Sequence, residues 1–88
     1  MKVTKEGSYT SKELTDIFSK FSTAAFYISG SGSADLIHTD EGGNTNTIQT
    51  FIPFTNEVMT PGKGAQISFE ITGVSEAAPM YIEVRGIK

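Results

Sequence analysis

The chain has 88 residues, no cysteine, and seven basic against ten acidic residues. This length predicts one domain, and the lack of cysteine excludes disulfides and cysteine-based zinc sites. The basic residues form no cluster of the kind that binds nucleic acid, and no apolar run approaches the roughly 18 residues of a membrane span. Residues 1–7 are too polar for a signal peptide. We therefore expect synthesis in the cytoplasm and neither nucleic acid nor membrane as partner.

The first predicted element is a short helix. Thr10-Ser11-Lys12-Glu13 matches a capping box, in which a Thr hydroxyl accepts from an early backbone N–H and a Glu reaches back. Apolar residues then recur at helical spacing over two to three turns: Leu14, Ile17, Phe18 and Phe21. We expect this helix to cover an open end or edge of a sheet.

Two alternatives to that helix remain open. Residues 15–21 could form an irregular strand, since Thr, Ile and Phe all tolerate extended structure. The apolar stripe could also bind a partner. In each case residues 1–22 are interpreted as an N-terminal arm or helix and residues 23–88 as the β core of a single domain spanning residues 1–88.

From Thr23 onward the predicted structure is β throughout. Apolar and polar residues alternate in about six short segments with turn signals every eight to twelve residues: 23–29, 34–39, 45–54, 57–60, 66–73 and 80–86. Pro53 cannot donate a ladder hydrogen bond, so the third strand ends there or lies at an edge. This pattern predicts an all-β fold, a small antiparallel β-sandwich or barrel.

The phase of the alternation divides the apolar residues into two sets. The predicted core contains Phe26, Ile28, Leu36, Ile48, Ile52, Phe54, Ile67, Phe69, Ile71, Ile82 and Val84. Tyr27, Ile37, Phe51 and Tyr81 point the other way and are our interface candidates. Alternatively, the N-terminal segment covers them or they are scattered singly. Tyr27 and Tyr81 on a flat sheet could also stack on a sugar ring.

Nothing in the sequence predicts catalysis, a cofactor or a metal site. His38 is the only histidine, and no nucleophile elbow accompanies it. The loop 40–44 offers oxygen ligands but lacks the acidic spacing of a calcium loop. The glycine-rich turn 30–33 is not followed by the helix that a phosphate site requires. We therefore expect a protein that is not an enzyme.

The layout of the β core resembles that of small bacteriophage virion β-sandwich proteins, which include head decoration (cement) proteins and some tail components. The features that carry the resemblance are the stretch 24–37, the turn with Asp40 and Gly42-Gly43, a Thr/Ile strand, and the final strand 81–85. They cover about three quarters of the chain, from Thr23 to Ile87. No diagnostic motif accompanies them, and the N-terminal segment has no place in that pattern.

This resemblance implies a non-enzymatic structural protein of the virion. Its partner would be the major capsid protein or another virion subunit, and its place the capsid surface, where it would bridge neighbouring subunits. It would be a homo-oligomer, a trimer for decoration proteins or a hexamer for tail or connector components. A small carbohydrate-binding module is the alternative outside this class. A domain of this size buries only about 60% of its unfolded surface, so association would add needed stability.

Overall fold

A computed structural model describes residues 1–88 and confirms a small all-β sandwich with one short helix. Two four-stranded antiparallel sheets pack face to face. The elements in chain order are β1 (Lys2–Val3), β2 (Gly7–Tyr9), α1 (Lys12–Lys20), β3 (Thr23–Gly30), β4 (Ser33–Thr39), β5 (Thr45–Phe51), β6 (Thr55–Met59), β7 (Gln66–Thr72) and β8 (Met80–Ile87). We call the sheet with strand order β1-β8-β3-β6 sheet A and the sheet with order β2-β7-β4-β5 sheet B.

The first ten residues contribute the two strands beyond the six predicted. β1 pairs with the start of β8 in sheet A, and β2 pairs with the end of β7 in sheet B. Val3 is only 1% exposed and belongs to the core. The N-terminal ammonium group donates to the Ile82 carbonyl oxygen over 2.7 Å. These residues therefore lie within the sandwich, as short edge strands of both sheets, and do not form an arm.

The predicted helix is present, and the strand alternative for residues 15–21 is wrong. Its N-cap is Ser11, one residue later than the predicted Thr10, and the Ser11 hydroxyl accepts from the Leu14 N–H over 3.1 Å. This bond satisfies one of the free N–H groups of the first turn. Glu13 adds a negative charge there, which suits the positive end of the helix dipole.

The helix covers one edge of the sandwich, between β7 and β8. It buries Leu14 and Phe18 against the core. Phe21 follows the helix in extended conformation, and its ring lies against Gly86 so closely that a Cβ atom at that glycine would overlap it. The short strands β1 and β2 occupy the remainder of this edge, so α1 and these two strands together cover the core on this side.

Phenylalanine rings form the centre of the core. Phe26 of β3 is fully buried and lies 5.4 Å from Phe51, 6.1 Å from Phe69 and 6.4 Å from Phe18, between ring centroids. These rings come from both sheets and from the helix. Contacts to Phe26 therefore tie together all three parts of the fold, with aliphatic residues of the two inner faces packed around them.

The structure corrects the predicted phase of β5. Its pairing with β4 shifts by one residue, so Gln49 lies opposite Leu36 while Thr47 lies opposite Ile37, and Ile48 is the extra residue of a bulge. A bulge moves every later side chain to the other face. Phe51 therefore points into the core and is fully buried, which makes its assignment as an interface residue wrong.

The same correction applies to three residues predicted for the core. Ile48 is 37% exposed, Ile52 is 63% exposed and Phe54 is 83% exposed. The strand ends at Phe51, three residues earlier than predicted, so Ile52-Pro53-Phe54 forms the connection from sheet B to sheet A. Two of the most exposed apolar side chains therefore project from this connection.

Phe54 also has a φ of +64°, the only positive value at a residue other than glycine. A bulky side chain in this region costs about 1–2 kcal/mol. Asparagine tolerates this conformation better than phenylalanine, so we expect Phe54→Asn to raise the free energy of unfolding by about 1 kcal/mol. Urea denaturation would measure this free energy. The control is Val58→Asn, at an exposed residue in extended backbone. Equal or lower stability of Phe54→Asn relative to the unaltered protein would show that no strain is relieved.

Candidate functional site

The four predicted interface residues do not form one surface. Tyr27 and Tyr81 point outward from sheet A and are 39% and 46% exposed. Ile37 is half-buried on the outer face of sheet B, on the opposite side of the sandwich. Phe51 lies in the core. The structure therefore keeps the two tyrosines together and separates the other two residues from them.

The tyrosines lie diagonally on neighbouring antiparallel strands. Tyr27 of β3 pairs with Glu83 of β8, and Tyr81 pairs with Ser29. Diagonal neighbours in this geometry are about 7–8 Å apart, within reach of aromatic side chains. The two rings therefore form one local aromatic surface.

A shallow groove of about 750 Å³ passes over these tyrosines and crosses all four strands of sheet A. Lys2 of β1 lies at one end, and Phe54 and Thr55, where β6 begins, lie at the other. We call this feature the aromatic groove. Phe54 was not among the sequence-based interface candidates, although Pro53 directly before it indicated that the strand could end there.

Charged groups accompany the aromatic rings along the groove. Lys2, Glu13 and Glu83 contribute to its lining. Glu83 also accepts two hydrogen bonds from the Arg85 guanidinium, at 2.7 and 2.9 Å. The hydrogen bonds that Arg85 donates to Glu83, and then the negative charge of Glu83, raise the pKa of Arg85. The groove thus combines apolar rings with paired and unpaired charges, the mixture typical of a surface that binds a partner.

A second concave feature lies at the opposite end of the sandwich, between α1 and the adjoining ends of β4 and β7. It encloses about 500 Å³, and we call it the neutral cleft because none of its lining residues is charged. Phe18, Ala65 and Ile67 supply its apolar part. Hydroxyl groups of Thr15, Ser19, Thr39 and Ser68 surround them. The sequence did not predict this cleft, because its residues come from three separate segments.

His38 lies near the end of β4, opposite Ile67 and Asn46. None of the side-chain hydrogen bonds of the protein involves it, so no serine or carboxylate is positioned by His38. No three His, Asp or Glu side chains converge closely enough to hold a metal ion.

The loop 40–44 is organised by a side chain of its own. Asp40 Oδ1 accepts from the backbone N–H groups of Gly42 and Asn44, each over 2.9 Å. The hydrogen bond from the Asn44 backbone is the largest cause that lowers the pKa of Asp40. Both carboxylate oxygens accept hydrogen bonds, the second from the Asn44 amide at 3.3 Å. The geometry is that of a turn held by an aspartate.

The single helix, α1, has nine residues and is not long and apolar enough to cross a membrane. Comparisons of the chain with protein-family models, with curated proteins and with solved structures found no match. The features of the molecule that could contact a ligand or partner are therefore the aromatic groove, the neutral cleft and the exposed residues around them.

Proposed function

We propose that this protein is a non-enzymatic structural protein of a virus particle, a decoration protein that stabilises the capsid by bridging major capsid subunits. The observation that supports it is the aromatic groove, which is lined by Tyr27 and Tyr81 of sheet A and by Phe54 of the connection that precedes β6. Aromatic residues are enriched in the buried centres of protein interfaces. The resemblance of the sequence layout to phage virion β-sandwich proteins suggests what kind of partner the groove would contact.

The energetics of a small domain favour such a role. Only 15 of the 88 residues are buried, so the core is small and further stability is available from association. A capsid repeats the same surface many times, and an oligomer that engages several copies gains avidity from weak individual contacts. Under these conditions a shallow groove with a few aromatic anchors is sufficient to hold the protein on the particle.

Two other functions use the same surface. A tail or connector component would also bind through exposed aromatic residues, but within a six-membered ring. A carbohydrate-binding module is favoured by one specific observation, the pair Tyr27 and Tyr81 exposed on the same face of sheet A, because aromatic side chains can stack on sugar rings. That module would act as a monomer and bind glycans without a particle.

The capsid proposal is tested with Tyr27→Ser, Tyr81→Ser and the double variant. We expect the double variant to bind cosedimented particles of the cognate major capsid protein at least about tenfold more weakly, since aromatic anchors dominate interface energies. Ile48→Ser is the matched control, because Ile48 is 37% exposed and lies in sheet B. Circular dichroism checks that each variant stays folded.

Three outcomes separate the functions. Loss of particle binding in the double variant with normal binding of the control supports decoration. Equal particle binding by all variants would show that the aromatic groove is not the surface that contacts the particle. Calorimetry with glycans on the same proteins tests the carbohydrate-binding module. The module replaces the capsid proposal if the unaltered protein binds a glycan, the double variant loses that affinity, and none of the proteins binds particles.

A further inference from the structure

The two sheets have four edge strands, and β5 is the most open of them. β1 and β2 have only two and three residues. β6 has five residues, and its Glu57 lies on the inner face, opposite the buried Phe26. Short strands and inward-pointing charges both hinder the pairing of an edge with another chain. β5 has seven residues and neither of these features.

The outer edge of β5 has free backbone groups. β5 is the last strand of sheet B and pairs only with β4. No backbone hydrogen bond from a turn or loop reaches residues 45–51. The segment 42–56, which includes the whole strand, has no charged residue. An edge strand of this kind can accept a further strand through main-chain hydrogen bonds.

We propose that β5 pairs antiparallel with β5 of a second copy across a two-fold axis. The two copies of sheet B then form one continuous sheet of eight strands. A two-fold axis places each residue of the strand opposite another residue of the same strand. Like charges directly opposite each other are destabilising, and β5 has no charge. The strand is therefore a suitable partner for itself.

The bulge restricts the register of this pairing. Thr45 and Thr47 lie on the outer face of sheet B before the bulge, and Thr50 lies on that face after it. Outer side chains stay on one face of the joined sheet only if Thr50 of one copy lies opposite Thr45 or Thr47 of the other. In both registers Ile48 lies next to Ile48 of the second copy. The bulge thus excludes arbitrary pairing and places Ile48, which is 37% exposed, beside the axis.

The strand is held in position before it pairs. On the inner face of β5, the Gln49 amide donates to the Glu57 carboxylate of β6 over 2.6 Å. This hydrogen bond connects the two sheets along the open side of the sandwich. An edge that is already ordered loses less conformational entropy when a partner strand binds.

Growth of the assembly ends at the dimer. The opposite edge of sheet B is β2, whose three residues offer little to a further strand. A contact through one strand edge is small, so we expect a concentration-dependent dimer. The inference goes beyond the capsid role and does not rest on it, because the aromatic groove on sheet A stays open in this dimer.

The first experiment measures mass by size exclusion with light scattering across a concentration series at low ionic strength. We expect the unaltered protein to dimerise, and Ile48→Lys and Ile48→Glu each to weaken association about tenfold, because like charges then meet at the axis. Thr45→Lys is the control on the same strand. Its side chain is exposed and makes no hydrogen bond, and it lies roughly 17 Å or more from its counterpart in either register. This control should dimerise normally.

The decisive experiment mixes Ile48→Lys with Ile48→Glu. Opposite charges then lie next to each other at the axis, so an equimolar mixture should form a mixed dimer at least as tightly as the unaltered protein. A contact between β5 and a different surface of the second copy would give no such recovery. Circular dichroism and thermal melts establish that both variants are folded before mixing.

Hydrogen exchange locates the contact directly. Amides of β5 should exchange more slowly at concentrations where the protein is dimeric. β6 is the internal control, because it is the edge strand of sheet A on the same open side, and its amides should exchange at the same rate at all concentrations. Slower exchange in β6 alone would contradict the pairing of β5.

The proposal is overturned by a chain that stays monomeric at about 1 mM, by equal association of the unaltered protein and both Ile48 variants, or by a mixture that shows no recovery. Particle binding is a separate measurement, since it depends on sheet A. The double variant Tyr27→Ser/Tyr81→Ser should dimerise normally even where it no longer binds particles, and the Ile48 variants should bind particles normally. The two proposals therefore fail separately.

Discussion

Replacing Phe26 with alanine is expected to destabilise the domain by about 3–5 kcal/mol, the range for removing a buried aromatic side chain. Phe26 is fully buried, and its ring contacts those of Phe18, Phe51 and Phe69. Phe26 is the only aromatic ring that pairs with rings of both the helix and sheet B. Native proteins have about 5–15 kcal/mol of stability, and a domain this small lies near the low end of that range. A large fraction of the variant should therefore be unfolded at 37 °C.

Urea denaturation followed by circular dichroism measures this effect, with Tyr27→Ala as the matched control. Tyr27 is the next residue of the same strand and points outward, 39% exposed. The control removes an aromatic ring from the same strand without leaving a cavity in the core. A loss of less than about 1 kcal/mol for Phe26→Ala, or an equal loss for both variants, would contradict the central position of this ring.

Val3→Asp is expected to cost several kcal/mol, because it would place a carboxylate without a partner in the core. Val3 is 1% exposed, and its strand pairs with Met80 and Tyr81 of β8. If the first ten residues were a loose arm, this change would have little effect on unfolding. The result therefore decides whether the N-terminal segment belongs to the cooperative fold.

The matched control for this second prediction is Lys5→Asp, which puts the same side chain at an exposed position between β1 and β2. Thermal unfolding should show a large decrease in melting temperature for Val3→Asp and little change for Lys5→Asp. Similar melting temperatures for the two variants would mean that β1 contributes little to stability. Hydrogen exchange at Val3 and at Gly7 to Tyr9 would then show fast opening of both edge strands.

Strict alternation predicts strands well where nothing interrupts it. The runs around Phe26, Phe69 and Ile82 follow it, and each lies in a strand with its predicted core residues inward. Polar and apolar side chains at period two leave only one face that can be buried. The fold class and most of the core therefore follow from local pattern.

Alternation is misleading in β5. The one-residue bulge at Ile48 reverses which face of the strand the later side chains point to. Phe51 therefore lies in the core, and Ile52 and Phe54 lie outside it. A bulge depends on the pairing with β4, since it is defined by residues without a partner on the neighbouring strand. No periodicity within residues 45–54 distinguishes this arrangement from a regular strand.

The sequence by itself determined an all-β domain with one amphipathic helix, because hydrophobic periodicity and turn residues are local properties. Only the tertiary structure decided that residues 2–9 complete both sheets, that Tyr27 and Tyr81 share a groove with Phe54, and that the neutral cleft forms between α1 and the ends of β4 and β7. These features join residues far apart in the chain. They depend on strand order and register, which are set by packing among all the strands and are not encoded in any single segment.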